Sequence, residues 1–157
     1  MAETIKQDTS SEMDEAFCGR IAFSFPRTPA GPAAKHPARE LARVGEIRRI
    51  CGAKLRAWGL ERFTDSMQLL LSELVTNAIQ HGSASQIGVR LSYTTREVRI
   101  ETRSGPVSDL TAHTPGLLDE GGRGLLLIDA IADAWGVDNA GWVWCALATA
   151  SAEEGRP

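Results

Sequence analysis

No excess of basic charge marks this sequence. Its 17 lysines and arginines stand against 20 aspartates and glutamates, a net charge of −3 over 157 residues. A nucleic-acid-binding surface usually needs a basic face, and the pair Arg48-Arg49 is too short to supply one. Long apolar runs are missing too. Runs such as 69–71 and 125–128 fall far short of the length of a membrane span. The N-terminus is polar and acidic and does not read as a secretory signal. Cysteine is scarce: Cys18, Cys51 and Cys145 are an odd set without metal-ligand spacing, as expected of reduced thiols in a cytoplasmic protein. His36, His81 and His113 are scattered, and His81 is not read as a metal ligand. There is no internal repeat, no dinucleotide-binding glycine pattern after the first strand and no P-loop lysine.

What is present is a helix with two stripes. In Leu69-Leu-Leu-Ser-Glu-Leu-Val-Thr-Asn-Ala-Ile-Gln-His81-Gly82, taking Leu74 as centre, Met67, Leu70, Leu71 and Ala78 fall within about 60° of it at roughly 100° per residue. Glu73, Asn77 and Gln80 form a polar stripe along one edge of the first. A polar row at the edge of a core can line a pocket. The asparagine oxygen suits magnesium, and the carboxylate one turn away suits a base. The plain alternative is a surface helix with ordinary polar residues.

Farther on, Glu120-Gly121-Gly122-Arg123-Gly124-Leu125-Leu-Leu-Ile128 sets glycines directly before an apolar helix. Glycine lets backbone approach a ligand, and a helix N-terminus offers free N–H groups and partial positive charge to phosphate. Alone, such a cluster is more often a turn.

Taken together, the two segments resemble the GHKL (histidine kinase-like) ATP-binding superfamily, and within it the branch of anti-sigma-factor serine/threonine kinases. Glu73-Leu-Val-Thr-Asn77-Ala-Ile-Gln-His81-Gly82 matches that branch's N box. Gly122-Arg-Gly-Leu125 matches its second glycine box, and Ala57-Trp-Gly-Leu60 and Asp133-Ala-Trp-Gly-Val137 resemble its flanking landmarks. The resemblance covers roughly residues 23–148. It implies ATP and Mg2+ as cofactors, with Asn77 as metal ligand and Glu73 as catalytic base. Nucleotide contacts would come from Asn77, His81, Ser104, Gly105, Gly122, Arg123, Gly124 and Leu125. One departure stands out. The family carries an aspartate that reads the adenine amino group after the strand that follows the N box. Here Val98-Arg-Ile-Glu-Thr-Arg103 runs into Ser104-Gly105-Pro106, and Asp109 comes five residues after Ser104. Loss of a charged acceptor to a buried amino group costs about 1.5–3 kcal/mol, roughly tenfold to over a hundredfold in affinity.

Elsewhere the pattern predicts a strand over 20–25, a proline-rich loop over 27–37, and a helix over 38–58. In that helix Leu41, Val44, Ile47, Ile50, Cys51, Lys54 and Leu55 follow three-four spacing, Gly45 and Gly52 mark close packing, and Gly59 ends it. Thr64 or Asp65 should cap the N-box helix, and Gly82 should close it in a left-handed conformation. Strands over 86–93 and 97–103 make a hairpin, with Ile87, Val89, Leu91 and Tyr93 on one face and Val98 and Ile100 inward. Residues 106–122 form a long loop, the family's lid over the nucleotide. A helix over 123–135 and a hairpin of 136–139 with 141–148 complete the domain. The expected organisation is a flexible segment 1–19, a histidine kinase-like ATP-binding domain 20–149 and a tail 150–157. The fold class is α+β: a two-layer Bergerat-type sandwich whose mostly antiparallel sheet is covered on one face by three helices.

The function this implies is an ATP-binding regulator of the anti-sigma-factor type, acting as a serine kinase on an anti-anti-sigma partner. The competing reading is a non-catalytic protein-binding module with a degenerate nucleotide site that sequesters a transcription regulator. Ser104 favours the second; the intact pair Glu73 and Asn77 favours the first. A stand-alone ATPase or detached histidine-kinase module is a third reading, and no phospho-acceptor histidine helix is visible. Expected partners are a sigma factor, an anti-anti-sigma (STAS-type) protein and a second copy in a homodimer, with no direct nucleic acid and no membrane.

Overall fold

Alternation of apolar and polar side chains builds a five-stranded sheet in which every pairing is antiparallel. The computed structural model describes residues 16–27, 37–106 and 123–149. The elements run β1 (Gly19–Pro26), α1 (Pro37–Ala57), a 3-10 turn (Glu61–Phe63), α2 (Thr64–His81), β2 (Gln86–Tyr93), β3 (Glu97–Arg103), α3 (Arg123–Ile131), β4 (Ala134–Val137) and β5 (Trp142–Ala148). Sheet order is β1-β2-β3-β5-β4. The helices lie against one face, giving the expected α+β sandwich. Expectations for the segment 1–15, the rest of the proline-rich loop (28–36), the lid (107–122, with Gly122) and the tail from residue 150 lie outside the described residues.

The inward row is continuous across strands. Ile87, Val89 and Leu91 of β2, Val98 and Ile100 of β3, and Cys145 and Leu147 of β5 are buried. Register places Leu91 opposite Ile100, and Ile100 opposite Cys145. Burial pushes the Cys51 and Cys145 thiols up to about 12, so both behave as small apolar fillers. The β2–β3 turn is closed by Thr94, whose hydroxyl accepts from the N–H groups of Arg96 and Glu97. Trp58 and Tyr93, 4.9 Å apart between ring centroids, seal the end of the sheet beside Gly19.

Four expectations need correction. Of the expected α1 stripe, Ile47, Cys51 and Leu55 are fully buried, while Leu41 and Ile50 are exposed. Ile50 lies about 100° around the helix from Cys51, off the stripe that meets α2. Gly52 does mark close packing, since a Cβ there would fall 2.7 Å from Gln68 Nε2, but Gly45 faces open space. Neither Thr64 nor Asp65 caps α2. The helix continues out of the 3-10 turn with Phe63 at the cap position and no side-chain cap bond, and the Thr64 hydroxyl is buried without a partner. Finally, α3 stops at Ile131, and Trp135 belongs to β4 opposite Cys145. Pairing with β5 overrides the helical pattern: the Asp133 N–H donates to the Ala146 carbonyl, and its carboxylate accepts from the Ala148 N–H.

Two substitutions test this arrangement of α1. Gly45→Ala should raise unfolding free energy by about 0.5–1 kcal/mol, because a mid-helix glycine with open space beside it gains helix propensity at no steric cost. Leu55→Ala should lower it by about 2–5 kcal/mol. Urea unfolding followed by Trp fluorescence reads both; no gain at position 45 would mean that a methyl group there is not free of contacts.

Candidate functional site

The site is assembled around α2. Its buried face is Thr64, Met67, Leu70, Leu71, Leu74, Val75, Ala78 and Ile79. That stripe is wider than the sequence pattern gave, because α1, α3 and β3 all pack against this helix. Gln68, on one flank, donates to the Arg48 carbonyl of α1. Glu73 and Asn77 occupy the opposite flank, turned away from α1, and both are half-buried. Gln80 is exposed, and His81, half-buried, is the last residue of the helix.

The end of α2 meets the end of β3. Gly82 is not left-handed; its backbone is extended (φ −69°, ψ 154°), with its N–H bonded to the Ala78 carbonyl. Glycine is required there by proximity. A Cβ on residue 82 would collide with the Ala78 carbonyl oxygen and lie 2.6 Å from Ser104 Cβ and 3.0 Å from the Ser104 oxygen. The Ser104 carbonyl in turn accepts from the N–H groups of both Ser83 and Ala84, at 2.8 and 2.9 Å. Arg27 Nε donates to the Ala84 carbonyl and ties the end of β1 to the same corner.

Ser104 and Gly105 are buried, and Gly105 has φ 154°, a region that favours glycine. Thr102, buried on the same side as Ser104, was missed as a site neighbour, although continuing the alternation from Val98 and Ile100 would have placed it there. Glu73, Asn77, His81, Ser104 and Gly105 are thus carried by two elements joined at one corner. Arg123, Gly124 and Leu125 open α3, which packs on α2. Gly122 lies outside the described residues.

The donor set can be weighed for each cofactor. Among the described residues no cluster of three acidic, histidine or cysteine side chains could hold a metal. Magnesium would therefore rely on the single oxygen of Asn77 and on phosphate oxygens, the usual arrangement for an ion that arrives with nucleotide. The corner without a Cβ at residue 82, and the glycine at 105, fit a ligand lying close to backbone.

An antiparallel sheet under three helices, with a carboxylate and a carboxamide on the flank of the middle helix, defines a two-layer α+β domain of nucleotide-binding type. The chain belongs to the histidine kinase-like ATPase domain family, whose model matches residues 38–144, and so to the GHKL superfamily. Membership implies ATP binding. No curated protein matches the chain. Among the described residues no helix is long and apolar enough to cross a membrane.

The contact between the two elements can be tested directly. Gly82→Ala should destabilise the protein by about 1–3 kcal/mol, since the new methyl group meets backbone atoms that cannot rotate away. Thermal unfolding at matched protein concentration checks this; an unchanged midpoint would show that α2 and β3 are not in close contact at residues 82 and 104.

Proposed function

We propose that this chain is an ATP-binding regulator of the anti-sigma-factor type, a serine kinase acting on an anti-anti-sigma (STAS-type) partner. The observation that carries the reading is the pair Glu73 and Asn77, one turn apart and half-buried on the flank of α2 away from α1. Asn77 would hold magnesium through its side-chain oxygen. The bound ion supplies charge neutralisation for phosphoryl transfer. Glu73 would accept the proton of the attacking serine hydroxyl. The backbone opening α3 would receive phosphate at its N–H groups, with Arg123 adding a charge-assisted contact.

A second reading rests on Ser104. A buried hydroxyl at the corner where relatives carry the adenine-reading carboxylate supports a module with a degenerate nucleotide site, which sequesters a transcription regulator without catalysis. Both readings keep the protein in transcription control and differ in whether phosphate is transferred.

Two variants separate them. Asn77→Ala should weaken ATP-magnesium binding by about tenfold or more, the loss of one metal ligand and its charge-assisted contact, while the unfolding midpoint stays near wild type. Glu73→Gln should keep binding and abolish transfer to a partner serine, because the amide keeps the shape but is a far weaker proton acceptor. Calorimetry and radiolabelled-phosphate transfer give the two readouts. Wild-type protein that binds ATP and transfers nothing to a co-encoded partner would leave the sequestering module as the function.

The same corner predicts weak base discrimination. Ser104 offers a hydroxyl where a carboxylate is expected, so ATP should bind weakly and be separated poorly from GTP. Ser104→Asp should raise ATP affinity roughly tenfold or more and sharpen the preference for adenine. Titration of both nucleotides into both proteins decides it. Tight, adenine-selective binding by the unmodified chain would assign the role to another residue, Asp109 first.

A further inference from the structure

The helices cover one face of the sheet; among the described residues nothing covers the other. That open face carries the alternate row: Arg20 of β1, Arg90 of β2, Arg99 and Arg103 of β3, and Trp142 and Trp144 of β5. Two glycines make room for the indoles. A Cβ at Gly88 would lie 2.8 Å from Trp142 Cη2, and one at Gly136 would lie 3.2 Å from Trp144 Cζ2. Trp142 therefore reaches across β3 to lie against β2. The Arg90 guanidinium sits 3.6 Å from the Trp142 ring centroid, and that of Arg99 sits 4.2 Å from Trp144. Stacking holds each guanidinium flat, and Arg99 is also engaged by Glu97 through its Nε.

Arg90 makes no hydrogen bond or contact ion pair with any described residue, and Arg103 uses only Nε, on the Ala140 carbonyl. Small side chains at Ala22 and Ser24, with Gly88, floor a groove of about 430 Å³ between Arg90, Arg103 and Trp142. A second depression of about 270 Å³ continues it past Arg90 toward Arg20 and Phe17.

Four arginines here, Arg20, Arg90, Arg99 and Arg103, stand against three carboxylates, Glu97, Glu101 and Asp138. Glu97 is held by Arg99 at 2.7 Å, and Asp138 is occupied by the N–H groups of Ala140 and Trp142. Glu101 stands opposite Arg90 in register without a contact ion pair; burial raises its carboxyl above the ordinary pKa, offset in part by Arg99 and Arg90. The face thus keeps an excess of one positive charge, centred on Arg90 and Arg103, in a chain whose net charge is −3. A second copy docked by the same face would set arginine against arginine. A single-stranded nucleic acid would need the ring faces that Arg90 and Arg99 already occupy.

From the groove, the stacked guanidiniums and the charge, we infer that the open sheet face docks an acidic, extended segment of a partner protein, whose carboxylates pair with Arg90 and Arg103 and whose apolar side chains enter the groove beside Trp142. Arg90 and Arg103 are diagonal neighbours across β2 and β3, about 7–8 Å apart. That spacing suits carboxylates on alternate residues of an extended chain, which recur at about 6.5–7 Å. This face is opposite the helices, so the inference stands independently of the nucleotide site.

The test uses the full chain and a fluorescein-labelled peptide of alternating glutamate and leucine, read by fluorescence anisotropy. Saturable binding that weakens with salt is expected, and the R90Q–R103Q variant should lose about tenfold or more in affinity with nucleotide affinity unchanged. R103Q alone, which leaves the Trp142 stack intact, should lose a smaller factor and serves if the double variant is destabilised. Equal binding of a peptide with glutamine for glutamate overturns the inference, as does unchanged affinity in both variants. Competition by oligouridylate would assign the face to nucleic acid instead. Self-association in sedimentation that the double variant abolishes would assign it to a second copy.

Discussion

Burial of the apolar face of α2 between α1, α3 and β3 is the constraint on which the rest of the molecule depends. Removing a fully buried leucine such as Leu70 or Leu71 from this interface costs about 2–5 kcal/mol. The helix therefore cannot rotate to follow a ligand. Glu73 and Asn77 owe their position to this: they sit on the flank left over once the core has fixed the helix about its axis. Core and site share one element, and the precision of the site is inherited from the packing.

At the C-terminal end of α2 the constraint changes from side chains to backbone. The chain leaves the helix extended, passes within van der Waals contact of residue 104, and gives two N–H groups to one carbonyl. Such a corner is rigid because its partners are main-chain atoms without rotamers. It also brings Ser104 beside the end of α2.

The strands serve two surfaces at once. Their period of two sends Val98, Ile100 and Thr102 toward the helices and Arg99, Glu101 and Arg103 away from them. One face becomes the core and the corner between α2 and β3, the other a surface of arginine and tryptophan. Gly88 and Gly136 lie within otherwise ordinary strand sequence, and their absent side chains are what allow Trp142 and Trp144 to lie where they do.

Local periodicity was enough to place β1, β2, β3, β5, α1, α2 and the two stripes of α2, because those signals lie within a few residues of one another; it did not place the 3-10 turn, the end of α3 or the start of β4. The hairpin of β2 and β3 falls at the predicted boundaries for the same reason. Contacts between distant segments decided the rest. Gly82 looks like a helix-ending glycine, yet it is needed because residue 104 approaches it. Trp135 fits a helical pattern, yet it joins β4 because β5 offers it a partner. Leu41 and Ile50 have core-like spacing, yet α2 covers only the stripe through Ile47, Cys51 and Leu55. The arginine and tryptophan row on the open face cannot be seen in the sequence, since its members come from four strands and meet only when the sheet forms. Sequence alone determined which residues share an element; the tertiary structure decided which elements meet, because that depends on distances no local pattern encodes.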